Sequence, residues 1–265
     1  MLTKRLIACL DVVKGAVTKA RQFQDNVYVG PVDTVSARLY DDQIDEVIFY
    51  DITASSEKRP IDIDAVARVA KVVFIPFTVG GGIKSLEEMR RVIKAGAEKV
   101  SIDSMAVRNP QIIREGALAF GRQCIVLSMQ VKRVGKSAKI ASGYETAIDG
   151  ARVFTGMDAV EWARRGEDLG AGEIVVNSID RDGTHEGFDV EITSMISSAV
   201  NIPVIASGGA GKTAHLVDVF TRTGASAAII SSMLYSPFIP NVRVRDLKAE
   251  LARAGIPVRP WVEGY

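Results

Sequence analysis

Short apolar, β-branched runs alternate with amphipathic stretches from one end of this chain to the other, and that alternation leaves few folds open. The runs predict strands over Arg5–Leu10, Glu46–Asp51, Phe74–Val79, Lys99–Asp103, Cys124–Gln130, Glu173–Ser178, Val204–Ser207 and Ala227–Ser231. Helices are predicted after each, over Pro31–Asp41, Asp62–Lys71, Leu86–Lys94, Pro110–Phe120, Met157–Leu169, Val190–Ser198, Thr213–Thr223 and Val242–Arg253. In the third of these, Leu86, Met89, Val92 and Ile93 keep one face apolar at the 3.6-residue period. Eight strand–helix units in succession point to an α/β fold, a parallel (β/α)8 barrel, with a doubly wound open sheet as the alternative. The 265 residues suit one barrel domain spanning 1–265, and no Pro/Ser/Gly-rich linker divides them.

An internal repeat favours the closed barrel. Val79-Gly80-Gly81 recurs as Ser207-Gly208-Gly209, 128 residues on. At the same shift Gly96-Ala97 falls on Gly224-Ala225, and Asp103-Ser104 falls on Ser231-Ser232. Two similar half-barrels produce this pattern.

Composition removes other classes. A formal net charge of +1 with no Lys/Arg-rich stretch gives no nucleic-acid footprint. Cys9 and Cys124 sit within apolar runs and read as core packing in a reducing compartment. His185 and His215 are the two imidazoles, and no Cys/His spacing suggests a metal site. The N-terminal segment lacks the apolar core of a signal peptide and no run reaches membrane-spanning length, so a cytoplasmic protein without a membrane partner is expected.

In such barrels chemistry sits on the loops after the strands. Gly80-Gly81-Gly82 follows the third strand and Gly208-Gly209-Ala210-Gly211 the seventh. Glycine lets backbone N–H groups approach an anion, although a tight turn would need the same residues. The small polar ends of the fourth and eighth strands, Asp103-Ser104 and Ser231-Ser232, would complete each cradle. Two cradles related by a repeat imply a long substrate phosphorylated at both ends. Asp11, Asp51, Asp180 and Asp182 stand at or just beyond strand ends as candidate bases or hydroxyl ligands, or as caps and turn residues. Lys19, in the first loop, either closes over substrate or is solvated. Trp261 and Tyr265 pack on the barrel or meet a partner.

Five segments carry a resemblance: Arg5–Val12 (RLIACLDV), Asp51–Ser55 (DITAS), Phe77–Ile83 (FTVGGGI), Ser178–Thr184 (SIDRDGT) and Ile205–Lys212 (IASGGAGK). Colinear over nearly the whole chain, they resemble the cyclase subunit of imidazole glycerol phosphate synthase. The resemblance implies a lyase of histidine biosynthesis that uses ammonia from a glutaminase partner to cleave and cyclise a ribulosyl aminoimidazole carboxamide bisphosphate, with no metal or cofactor. It implies Asp11 as catalytic carboxylate and Lys19 in a mobile first loop. It implies substrate contacts at Gly82, Asp103, Ser104, Asp182, Gly183, Ser207, Gly209, Ser231 and Ser232, to which their places at strand ends and glycine turns add Asp51, Gly81, Gly208 and Gln130 as candidates. Arg5, Glu46, Lys99 and Glu173 stand at or next to four strand starts, with complementary signs. The resemblance implies an ammonia gate there and a glutaminase docked on the N-terminal face as a heterodimer. A sister family of phosphoribosyl sugar isomerases shares the two half-barrels but works alone, without such a gate.

Three departures fall on the catalytic face. Gln130 stands where the family places a second catalytic aspartate, and an amide is no general acid near neutral pH. Asp103 replaces an asparagine, and a carboxylate there would repel phosphate unless protonated or turned away. The loop Phe23–Pro31 lacks the family's arginine-containing segment and resembles paralogues of surface-glycan synthesis. That alternative expects a barrel that conducts ammonia to a separate sugar-amidating enzyme.

Overall fold

The computed structural model describes residues 2–21, 24–54, 57, 59–237 and 240–263. Tyr265, and Phe23 and Ser55 of the segments above, lie outside these residues.

Eight parallel strands close on themselves. In chain order they are β1 (Arg5–Val13), β4 (Glu46–Asp51), β5 (Phe77–Gly80), β6 (Lys99–Ile102), β7 (Ile125–Arg133), β10 (Glu173–Ser178), β11 (Val204–Ser207) and β12 (Ala227–Ile230). Each pairs with the next, β12 returns to β1, and β7 joins β10 directly. The outer layer is α1 (Val32–Asp41), α2 (Ile63–Ala70), α3 (Leu86–Lys94), α5 (Gln111–Phe120), α6 (Ala159–Leu169), α7 (Val190–Ala199), α8 (Thr213–Arg222) and α10 (Val244–Arg253). Two short helices, α4 (Ser104–Arg108) and α9 (Ser232–Tyr235), follow β6 and β12. They start 128 residues apart, at the repeat's own shift.

Local sequence accounts for the helices. In α3 the Ser85 side chain accepts from the Glu88 N–H, Glu87 and Glu88 fill the first turn, and Arg91 and Lys94 the last. Met89 and Val92 are fully buried, at about 1.5–3 kcal/mol each.

Inside the barrel the period-2 alternation of strands sorts residues by function. On β1 the outward residues Leu6, Ala8 and Leu10 join the helix layer, while Ile7 and Cys9 join Ile48, Val126, Val175, Ile205, Ala227 and Ile229 in a separate central cluster. By the same parity Arg5 closes the lower end of that row and Asp11 opens the upper end.

Several boundaries differ from expectation. The third strand begins at Phe77, and Phe74 is an exposed residue stacked edge-on to Tyr40 at 5.9 Å. The fifth predicted helix, α6, begins at Ala159, because Asp158 ends a strand and caps the helix through the N–H groups of Val160 and Glu161. The segment read as a loop before Pro31 is strand β3 (Gln24–Pro31), antiparallel to β2 (Ala16–Arg21). A second hairpin, β8 (Tyr144–Ile148) and β9 (Val153–Asp158), extends β7.

Candidate active site

At the lower end of the barrel four side chains form a closed ring. Arg5 bridges Glu46 at 2.7 Å and Glu173 at 2.6 Å; Lys99 bridges the same two carboxylates at 2.9 and 2.7 Å. The Thr78 hydroxyl donates to Glu46 at 3.2 Å. Burial works against both cations, but the two carboxylates outweigh it and hold Arg5 and Lys99 above their ordinary values. Above the ring lies the apolar cluster, then a layer in which the buried Tyr50 hydroxyl meets Ser101 Oγ at 3.1 Å.

The inward rows end at the opposite mouth. Lys19, reaching in from β2, donates to Asp11 Oδ2 at 3.1 Å and to Ser231 Oγ at 3.0 Å. The loss of water inside the mouth lowers Lys19, but Asp11 and the neighbouring acids reverse this, so its ammonium is held above its ordinary value. Asp182, open to solvent in the funnel but walled by protein, is raised by desolvation and by Asp11, with Lys19 opposing. Across the mouth the Gln130 side-chain amide donates to Asp103 Oδ2. Asp103 is thus turned away from the first glycine turn and toward β7. Burial pushes its carboxyl up to about 7, with the Gln130 bond opposing.

The two glycine turns are built alike. Gly81 (φ +99°) and Gly209 (φ +97°) are related by the repeat. A Cβ at Gly81 would lie 2.3 Å from the Asp51 carbonyl oxygen, and one at Gly209 2.2 Å from that of Gly187. Backbone packing therefore requires both glycines, whatever they bind. Gly82 and Gly208 also have positive φ, as has Gly183 in the loop after β10. That loop is tied to the second turn by the Gly187 N–H, which donates to Gly209 O at 2.8 Å. Ser104 and Ser232 open α4 and α9 beside the two turns, and Ser104 Oγ accepts from the Asp149 N–H at 2.9 Å. Ser207 ends β11 on the inward row of Ile205.

Two candidates are committed elsewhere. Asp51 lies one position beyond inward-facing Tyr50, and its carboxyl binds Arg59 at 2.7 Å and the N–H groups of Thr53, Ala54 and Asp62. It fastens the loop after β4 and is not brought to the mouth. Asp180 is taken by Lys132 and the Arg133 N–H.

Sequence reasoning missed two residues that strand parity and helix spacing carry. Asn177 follows Glu173 and Val175 on the inward row, and its Oδ1 lies 3.2 Å from where a Gly208 Cβ would stand. His215, four residues beyond Gly211, accepts that glycine's N–H at Nδ1 (3.2 Å) and braces the second turn. Burial, aided by Lys212, lowers its pKa, which favours the neutral ring that this bond requires.

The histidine biosynthesis protein family matches residues 5–239. An imidazole glycerol phosphate synthase subunit HisF from Desulfatibacillum aliphaticivorans is 55% identical over 264 residues, covering 99% of this chain and 100% of its own. Subunits of that name from Desulforapulum autotrophicum and Nitratidesulfovibrio vulgaris are each 53% identical over 259 residues, 98% of this chain and 99% of theirs.

Proposed function

The chain belongs to the histidine biosynthesis protein family, and on that premise we propose that it is the cyclase subunit of imidazole glycerol phosphate synthase, a lyase that works on ammonia supplied by a glutaminase. The observation that carries the enzyme assignment is likeness at 53–55% identity along essentially the whole chain to subunits of that name. The sugar-amidating alternative finds no support in these relatives.

In this reading the glutaminase docks on the N-terminal face, over the ring of Arg5, Glu46, Lys99 and Glu173. Ammonia enters there and crosses the apolar cluster of Ile7, Ile48, Val126, Val175, Ile205 and Ile229. It crosses as neutral NH3, since an ammonium ion would lose its hydration with no polar partner in return. The bisphosphate substrate spans the mouth. One phosphate sits at Gly81, Gly82 and Ser104; the other sits at Gly183, Ser207, Gly208, Gly209 and Ser232. Asp182 and Ser231 face the sugar chain between them. Asp11 lies midway and takes and returns protons, while Lys19 fixes its position and compensates charge. Two short helices beginning beside the two turns support the double cradle, because helix N-termini and open N–H groups attract anions.

The test is turnover of the ribulosyl aminoimidazole carboxamide bisphosphate by the purified chain with saturating ammonium. Asp11→Asn should lower it by about 10²–10⁴, the usual contribution of a positioned acid–base group. A parent enzyme inert under these conditions, or an Asp11→Asn variant with undiminished turnover, would sink the assignment. Docking is tested separately by co-purification with the cognate glutaminase. Failure to bind it, together with a Lys99→Ala variant of unchanged glutamine-dependent turnover, would rule out the gate.

A further inference from the structure

The two halves of the mouth answer each other position by position. β1 and β7 stand opposite in the ring of eight strands, each nine residues long, and each runs on into an antiparallel hairpin. The inward row of β1 ends Cys9, Asp11; that of β7 ends Ser128, Gln130. The strand next to β1 is β12, whose end carries Ser231; the strand next to β7 is β6, whose end carries Asp103. Ser231 and Asp103 are 128 residues apart, and each directly precedes a short helix. Asp11 therefore corresponds to Gln130, and Ser231 to Asp103. Each half holds one carboxyl and one neutral side chain, in transposed places.

The two carboxyls are held differently. Asp11 has an ammonium on it. Asp103 has the neutral amide of Gln130, and among the described residues no Lys or Arg forms an ion pair with it. The charged and titratable groups near it are Asp149 beyond β8, Arg108 on α4 and Tyr50 on β4. Arg108 is bonded to Asp149, and the Tyr50 hydroxyl is engaged with Ser101. A half-buried carboxyl without a cation retains its proton toward neutral pH, and the value of about 7 agrees with that geometry. A proton donor must be protonated at working pH and within reach of the substrate.

We propose that Asp103 is the general acid of the cyclase reaction, positioned by Gln130 and acting across the mouth from Asp11; the inference rests on the cyclase reading above. The ribulosyl group presents a ketone to the incoming ammonia. As the new C–N bond forms, the Asp103 carboxyl gives its proton to the ketone oxygen, and the added ammonium returns one proton to Asp103. The carboxyl then protonates the carbinol oxygen, the C–O bond breaks to release water, and the nitrogen lone pair forms C=N. The iminium proton goes back to Asp103. The sum is ketone plus ammonia giving imine plus water, with Asp103 regenerated and nothing oxidised or reduced.

The test compares parent, Asp103→Asn, Asp103→Glu and Gln130→Met with ammonium as nitrogen source, across pH. Asp103→Asn should lose about 10²–10⁴ in kcat with little change in KM, and with it the alkaline fall in rate set by this acid. Asp103→Glu should recover part of the rate. Gln130→Met removes a bond that favours the ionised form, so the alkaline limb should move upward. If the parent turns over and Asp103→Asn keeps most of its kcat, or keeps the same alkaline limb, Asp103 is not the acid while the cyclase reading stands. If the parent is inert with ammonium, both fall together. If Asp103→Asn does not fold, Gln130→Met decides, because an alkaline limb that stays in place overturns the proposal.

Discussion

Asp103→Asn should make the protein more stable at pH 8 than at pH 5, relative to the parent, while removing the acid it needs. The parent's folded state holds the Asp103 proton more tightly than the unfolded chain does, with a carboxyl near 7 against 3.8. Its contribution to stability is therefore complete below about pH 4 and is lost as pH rises through 7. At 1.36 kcal/mol per pKa unit the full shift corresponds to about 4 kcal/mol of ionisation cost at pH 8, and to less than half of that at pH 5. The mouth is open to water on one side, which screens the ionised form, so about 2 kcal/mol is the expected gain at pH 8. Asparagine preserves the acceptor for the Gln130 amide at nearly the same volume, so little else changes. Urea unfolding of both proteins at the two pH values measures this, with an unchanged m-value showing that the same surface is exposed. A difference between the two pH values below about 0.5 kcal/mol, the spread of ordinary surface substitutions, would refute the account of an uncompensated carboxyl.

Lys99→Met leaves Glu46 and Glu173 facing each other with Arg5 alone, and should cost about 3–5 kcal/mol in unfolding experiments. The folded variant should lose glutamine-dependent turnover while ammonium-dependent turnover survives. Lys19→Met removes the group that joins Asp11 to Ser231, and should lower ammonium-dependent kcat by roughly 10²-fold, the usual effect of a mispositioned reacting group, with unfolding free energy little changed. Lys248→Met takes away a buried cation bonded to Asp45 at 2.7 Å, leaving only the half-exposed Arg259; thermal unfolding should show a loss of about 3 kcal/mol. Crystals soaked in phosphate should show two anions, one at each glycine turn. A single anion, or none, would remove the double cradle.

How much of this could be read from the chain depends on which period governs each residue. The barrel was legible because strands of period 2 alternate with helices of period 3.6, and because three motifs repeat at one shift. The hairpins were not. Val27-Tyr28-Val29 carries strand-forming residues, but no Asn-Gly or Asp-Gly pair stands between them and Ala16–Arg21 to signal a hairpin. The β8–β9 connection does hold such a pair, Asp149-Gly150, with both residues at positive φ. Among strand-end acids, parity is decisive: Asp11 shares the inward row with Arg5, Ile7 and Cys9, whereas Asp51 falls one place off the row of Glu46, Ile48 and Tyr50. The bond between Gln130 and Asp103 crosses from one strand to the end of its neighbour, and no local pattern reports such a contact.

The same inward rows explain why the two ends of the barrel behave differently. At the lower end two cations meet two carboxyls, every carboxylate oxygen of the ring has a donor, and the net charge is zero. Such a ring is electrically balanced and acts by holding its place. The mouth carries three carboxyls, Asp11, Asp103 and Asp182, and among the described residues only Asp11 of these has an ion pair, with Lys19. In a walled funnel the loss of hydration favours the protonated form of a carboxyl that has no cation on it. Both carboxyls whose affinity is raised, Asp103 and Asp182, are those without a direct cation. Asp103 thus retains its proton toward neutrality, and a bisphosphate arriving with further negative charge would hold it more firmly. Substrate binding itself should therefore take up protons from solution. That uptake, read calorimetrically in two buffers of different ionisation enthalpy, should be largest near pH 7–8 and smaller in Asp103→Asn; equal uptake in parent and variant would locate the retained proton elsewhere.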